Sequence, residues 1–226
     1  MKRKIHGRGN ITKTHNKMKK IYNWGIVGTG NIANKFAEAI KYSCSSNAYA
    51  VASRDRDRAA SFAKKYNMSA FYSNYEELYN DEKVDIIYVA TPNHLHLQNT
   101  IKAIEKGKAV LCEKPMGMNI SEVELMIKTA RERKVFLMEA MWTRFVPSML
   151  KLEEILKSGI IGEALILKAD FGFKADYNPH SRLFDPLLGG GSLLDIGIYP
   201  VFLALFLWGE PENIKSQIVL SPTGTD

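Results

Sequence analysis

The sequence predicts an α/β fold: a parallel sheet flanked by helices over the first two thirds of the chain, then a smaller unit of different rhythm. Three observations predict it. Short apolar runs alternate with helix-periodic segments. A glycine turn (Gly28, Thr29, Gly30, Asn31, Ile32, Ala33) stands between the first such run and the first such helix. The run at 85–90 is continuous enough in Ile and Val to be buried on both faces, as parallel strands are.

In chain order, residues 22–27 read as a strand that enters the glycine turn. Ile32, Phe36, Ala39 and Ile40 then recur at helical spacing. Residues 48–52 are a second strand, 58–66 a second helix and 85–90 a third clear strand. Leu97, Ile101 and Ile104 share a helix face that Gly107 ends. Residues 109–112 are a strand, and Ser121 with Glu124 forms a capping box for a helix burying Val123, Ile127 and Ala130. A strand at 135–138 closes the series. From Trp142 the pattern changes. Pro147 opens a helix with Met149, Leu152, Ile155 and Leu156 inward, stopped by Gly159. A strand at 164–173, a polar loop, the run Gly189, Gly190, Gly191, an apolar helix and a strand at 214–220 follow. The boundary near residue 140 separates 18–140 from 141–226.

Charge narrows the function. The 226 residues carry a formal charge of +7, but eight of the bases lie within residues 1–20, which hold no acid. Without those eight, 23 bases face 24 acids, so the body is neutral and nucleic acid is not the expected partner. Residues 1–17 read as a disordered basic extension ahead of a natural start at Met18, or as an arm for an anionic partner. The longest uncharged apolar run, 196–209, has 14 residues and a proline, too short for a bilayer. Cys44 and Cys112 make neither a metal nor a disulfide pattern. His94 and His96, two apart, do not share a helix face, so no metal is expected. A reduced, cytoplasmic protein is the expectation.

The glycine turn sits where a pyrophosphate is cradled, between strand and helix, with free amides at the helix start. The next strand runs into Ser53 and Arg54, where a ribose-binding acid would otherwise stand. A hydroxyl and a guanidinium attract a 2′-phosphate, and charge-assisted bonds of this kind contribute about 1.5–3 kcal/mol each. NADP is therefore favoured, with NAD the other possibility; the competing reading of Arg54 is a solvated side chain in a charged helix start. Thr91, Pro92 and Asn93, His96, and the pair Glu113 and Lys114 close strands at the same sheet edge. A lysine there puts an ammonium in a cleft. Glycine turn and lysine together suggest a nicotinamide-dependent oxidoreductase.

These segments resemble the Gfo/Idh/MocA oxidoreductase family: GIVGTGNIA at 25–33, ATPNHLH at 90–96, GKAVLCEKPM at 107–116 and GGGSLLDIGIYP at 189–200. Residues 52–59 and 138–145 are similar to its branch of dihydrodiol and NADP-dependent xylose dehydrogenases. The resemblance implies a Rossmann domain followed by an α+β open-sheet domain that covers the nicotinamide and supports dimerisation. It implies a catalytic Lys114, and it matches Asp195 and Tyr199 to positions where many relatives carry Asp and His. Relatives continue through further strands, so the chain is expected to be truncated within its second domain. Asp195 and Tyr199, four apart, share a helix face. Oxidising a hydroxyl needs a base for its proton as hydride leaves carbon. An ordinary phenol is a poor base at neutral pH, and making it competent takes about 3–4 kcal/mol. An ammonium about 4 Å from it, at an effective dielectric of about 20, supplies about 4 kcal/mol. Asp195 then holds substrate or lysine. Trp142, Arg144 and Arg182 either line the pocket or make structural contacts. The expected substrate is a sugar or cyclic diol; the alternative is a non-catalytic dinucleotide-binding sensor or scaffold.

Overall fold

The structure, a computed structural model, describes residues 20–226; the basic extension lies outside the described residues. Six parallel strands form one sheet in the order β3-β2-β1-β4-β5-β6. They are β1 (Tyr22–Val27), β2 (Ser46–Ala52), β3 (Ala70–Tyr72), β4 (Ile86–Val89), β5 (Ala109–Cys112) and β6 (Leu137–Glu139). The first five helices are α1 (Asn31–Ile40), α2 (Arg56–Tyr66), α3 (Tyr75–Asn80), α4 (His96–Glu105) and α5 (Ile120–Arg133).

Each face of the sheet buries its own apolar cluster. One gathers Val27, Leu78, Tyr79, Ile87, Ile104 and Val110; the other gathers Ile26, Ala33, Val51, Phe62 and Tyr88. Consecutive residues of β1 (Ile26, Val27) and β4 (Tyr88, Val89) serve opposite clusters, as period-two side chains require. That is why these strands are apolar throughout.

Register explains where function can sit. Ala52, Val27, Val89, Cys112 and Glu139 form the last paired row from β2 through β1, β4 and β5 to β6. The next residue on each strand (Ser53, Gly28, Ala90, Glu113, Ala140) therefore emerges at one edge. The carboxyl edge of such a sheet is where ligands bind.

Five elements differ from the sequence reading. β3 and α3 were not anticipated, because three and six residues are too few to show a period; the strand at 85–90 is thus the fourth, β4. The cap of α5 lies two residues earlier than expected: Asn119 Oδ1 accepts the Glu122 N–H at 3.0 Å, and Glu122 Oε2 accepts the Met118 N–H at 2.9 Å. Met126, rather than Val123 or Ile127, is its fully buried residue beside Ala130. The strands expected at 164–173 and 214–220 do not form. Leu165, Ile166, Ile218 and Val219 are exposed there, and among the described residues no ladder partner meets those backbones. A β-prone pattern becomes a strand only when a neighbour takes up its hydrogen bonds.

After β6 come a 3-10 turn at Trp142–Phe145, α6 (Pro147–Ser158), a π turn at Leu193–Gly197 and α7 (Ile198–Trp208). Residues 186–208 form an apolar stretch of 23 residues, longer than the run isolated from sequence, with a 3-10 turn at Pro186–Leu188 set apart from the π turn by Gly189 and Gly191 at positive φ. By length and composition alone it suffices to cross a bilayer. Its residues Asp195 and Tyr199 are nevertheless tied to Lys114 and Trp142.

Candidate active site

The glycine turn is built for a close approach. Gly28 has φ +103°, and a Cβ there would lie 2.8 Å from the Ala90 carbonyl oxygen. A side chain would force β1 and β4 apart. Gly30 caps α1 with no side-chain hydrogen bond, so among the described residues no side-chain cap takes the first amides of that helix. A Cβ on Gly30 would meet nothing within 4 Å, which leaves open space before those amides. A dinucleotide pyrophosphate fits this cradle. Thr29, Asn31 and Ile32 border it, and Asn34 braces it by donating to Gly30 O at 2.9 Å. Asn34 Oδ1 in turn accepts from Tyr66 Oη and Lys65 Nζ, each at 2.8 Å. Asn34 escaped the sequence reading because a polar residue in the first turn of a helix carries no distinctive signal.

Ser53 is buried at the end of β2, and Arg54 beside it is exposed. The nearest acid, Asp55, caps α2 through the Asp57 and Arg58 amides, so its charge is directed at that helix. Past β4, Thr91 and Pro92 lead into a 3-10 turn at Asn93–Leu95, and Asn93 Nδ2 donates to Gly189 O at 3.3 Å. His96 is fully buried, with Nδ1 2.7 Å from Pro115 O and Nε2 2.9 Å from Thr91 O. A neutral imidazole carries one N–H, so His96 donates to one of these carbonyls and abuts the other, and it sits between the two loops that carry the edge residues. Burial lowers its pKa against the pull of the two carbonyls.

Lys114 and Tyr199, 85 positions apart, converge. The ammonium lies 5.1 Å from the Tyr199 ring centroid, and it donates to Asp195 O at 2.5 Å and to Asp195 Oδ1 at 3.3 Å. The ammonium therefore faces the phenol ring rather than its oxygen. The carboxylate and carbonyl of Asp195, one turn earlier, hold it there. Arg182 Nη1 donates to Asp195 Oδ1 at 3.1 Å, so this arginine clamps the aspartate. Burial raises the Asp195 carboxyl, but the Arg182 hydrogen bond and the charges of Lys114 and Arg182 outweigh it, leaving the group below its ordinary value. Trp142 Nε1 donates to Tyr199 Oη at 3.0 Å. Arg144 stacks on Phe206, 4.4 Å from the centroid, and pairs with Glu153 at 3.7 Å, a structural role.

Beneath these groups lies a cavity of about 610 Å³. Its floor is one cross-strand row, Tyr88, Leu111 and Met138, and its walls include Ile32, Phe36, Trp142, Phe145 and Tyr199. Tyr88 Oη donates to Glu113 Oε1, and Glu113 Oε2 accepts the Lys114 N–H at 3.1 Å. Burial pushes the Glu113 carboxyl up against the hydrogen bond from Tyr88. Tyr88 was missed from sequence, although a tyrosine in an apolar strand asks for a buried partner.

The profile described as "Oxidoreductase family, NAD-binding Rossmann fold" matches residues 22–141, and that of the GFO/IDH/MocA C-terminal domain matches 149–226. The chain belongs to the Gfo/Idh/MocA oxidoreductase family. It is 44% identical over 207 residues to trans-1,2-dihydrobenzene-1,2-diol dehydrogenase of Mus musculus, covering 90% of this chain and 62% of that protein. Against the Homo sapiens enzyme of that name the identity is 40%, with 90% and 61% covered. The chain thus spans about three fifths of the curated relatives it matches. Among solved structures it is similar to a 3-ketoreductase from Actinomadura kijaniata in complex with NADP and TDP-benzene (TM-score 0.74, 30% identity, 84% of this chain, 58% of that one). An NAD binding oxidoreductase from Klebsiella pneumoniae gives a TM-score of 0.73 at 30% identity, covering 84% of this chain and 54% of that one.

Proposed function

We propose that this protein is an NADP-linked dehydrogenase that oxidises a hydroxyl on a ring-shaped small molecule, with a cyclic diol preferred to a free sugar. The observation that carries the reading is that Lys114, held by Asp195, meets the ring of Tyr199, and Tyr199 lines an aromatic cavity that also reaches Ile32 on α1, beside the glycine turn. Apolar walls suit a hydrocarbon ring better than a fully hydroxylated one, whose polar groups would lose water without replacement. The named activity of the dihydrodiol relatives supports the same substrate class.

NADP, when bound, supplies a pyridine ring that exchanges hydride with the substrate carbon. The chain's own residues do the rest. The amides of the glycine turn hold the pyrophosphate, and Ser53 and Arg54 take the 2′-phosphate. Tyr199 exchanges the hydroxyl proton at Oη. Lys114 stands over the ring face of that phenol, 5.1 Å from its centroid. Asp195 keeps Lys114 in place, and Arg182 keeps Asp195 in place. Glu113, fixed by Tyr88, anchors the backbone of Lys114. As part of the same proposal, the protein acts in the cytoplasm, without nucleic acid or membrane, and pairs through its C-terminal portion.

The test is a panel of trans-dihydrodiols, xylose, glucose and inositol offered with NADP and with NAD. Reduction of NADP with a diol, abolished by Lys114→Met, is the expected result. NADPH binding with no turnover on any alcohol favours the sensor or scaffold reading instead.

A further inference from the structure

The Tyr199 hydroxyl accepts a hydrogen bond from the Trp142 indole at 3.0 Å. An indole N–H only donates, so the phenol oxygen is the acceptor at this contact and its own O–H bond must point elsewhere. The ring has little room to turn. The rings of Trp142 and Phe171 stand at steep angles to it, 6.1 and 5.4 Å away centroid to centroid, and the Lys114 ammonium covers a face at 5.1 Å. Trp142 itself is anchored: its main-chain N–H donates to Ala140 O at 2.8 Å, directly after β6.

We propose that Trp142 is a positioning residue for Tyr199: its indole N–H turns the phenol O–H toward the cavity and holds the oxygen once that proton has left. The proposal rests on the reading that Tyr199 exchanges the substrate's hydroxyl proton. In the reducing direction, the Tyr199 O–H bond breaks as its proton passes to the carbonyl oxygen of the substrate. Hydride from NADPH reaches the carbonyl carbon, the C=O bond becomes C–OH, and the phenolate regains a proton from water. Oxidation runs the same steps backwards. A hydrogen bond donated to an oxygen strengthens as that oxygen becomes negative. Trp142 therefore acts on turnover more than on substrate binding.

Three tryptophans give three indole signals in a proton–nitrogen correlation spectrum, and the one lost in Trp142→Phe is that of Trp142. Tyr199→Phe is expected to move this signal and leave the other two in place. With NADPH and a cyclic hydroxyketone, the direction in which the phenol oxygen turns negative, Trp142→Phe lowers kcat about tenfold or more while KM changes less than about threefold. Trp142→His, which keeps a ring N–H, recovers most of that loss. An indole signal indifferent to Tyr199→Phe overturns the proposal; so does an effect confined to KM, or a His variant no better than Phe. If the wild-type protein oxidises no alcohol while the indole signal still answers to Tyr199→Phe, the functional reading fails and the orientation of the phenol stands.

Discussion

Replacing Asp195 by Asn keeps the side chain's shape and removes the charge that Lys114 and Arg182 share. Lys114 Nζ stands 3.3 Å from Asp195 Oδ1, with both side chains only 15% exposed. At that separation and an effective dielectric of about 20, the attraction is about 5 kcal/mol before desolvation is counted. Removing one partner of a buried pair costs about 3–5 kcal/mol. Here the ammonium keeps the Asp195 carbonyl at 2.5 Å, and the Arg182 side chain is largely in solvent. The expected loss is therefore about 2 kcal/mol, lowering Tm by about 4–8 °C in a chain of this size. The sign of the pH dependence follows from a carboxyl held low in the folded state. Its contribution is complete above the ordinary carboxylate value and is lost as pH falls through its own lower value. The Tm gap between wild type and Asp195→Asn is thus full at about pH 5–8 and narrows below about pH 4. Thermal melts of both proteins across that range, followed by circular dichroism, measure it. A gap under about 1 °C at neutral pH, or one unchanged at the lowest pH where the wild type stays folded, refutes the ion-pair account.

Three further outcomes are expected. Arg54→Ala weakens NADPH about tenfold or more and NADH less than about threefold in a cofactor-fluorescence titration; equal losses contradict a 2′-phosphate site. Gly28→Ala forces a Cβ to within 2.8 Å of the Ala90 carbonyl oxygen at a positive φ, so stability falls by about 1–3 kcal/mol and dinucleotide affinity falls with it. Unchanged melting and affinity contradict that reading. Tyr88→Phe removes one of the two donors to the Glu113 carboxylate and leaves only the Lys114 N–H, in a site where burial already raises the group. Stability tied to a raised carboxyl is lost as pH rises, so this variant's Tm deficit is larger at about pH 8 than at about pH 5.

The first domain was legible because its signals are local and redundant. β1 and β5 fall where the apolar runs at 22–27 and 109–112 begin and end, and Gly28 and Lys114 lie in motif segments, as Asp195 and Tyr199 do in the second unit. What sequence could not show was relation in space. The Tyr88 and Glu113 pair joins two adjacent strands through register, which no spacing along the chain reports. Lys114 was expected beside the phenol oxygen; the competition among Asp195, Arg182 and Trp142 decides instead which face of Tyr199 it meets. The segments 164–173 and 214–220 mark the limit of pattern alone, since alternation describes a strand's faces and not its neighbour.

The most direct measurement follows a labelled hydrogen. A trans-dihydrodiol carrying deuterium on its carbinol carbons is incubated with the protein and NADP, and the mass of the reduced cofactor is read. The account predicts deuterium in NADPH for the wild type, and none for Lys114→Met or Tyr199→Phe. NADPH that forms without the label, or forms equally well in the Lys114 and Tyr199 variants, contradicts it.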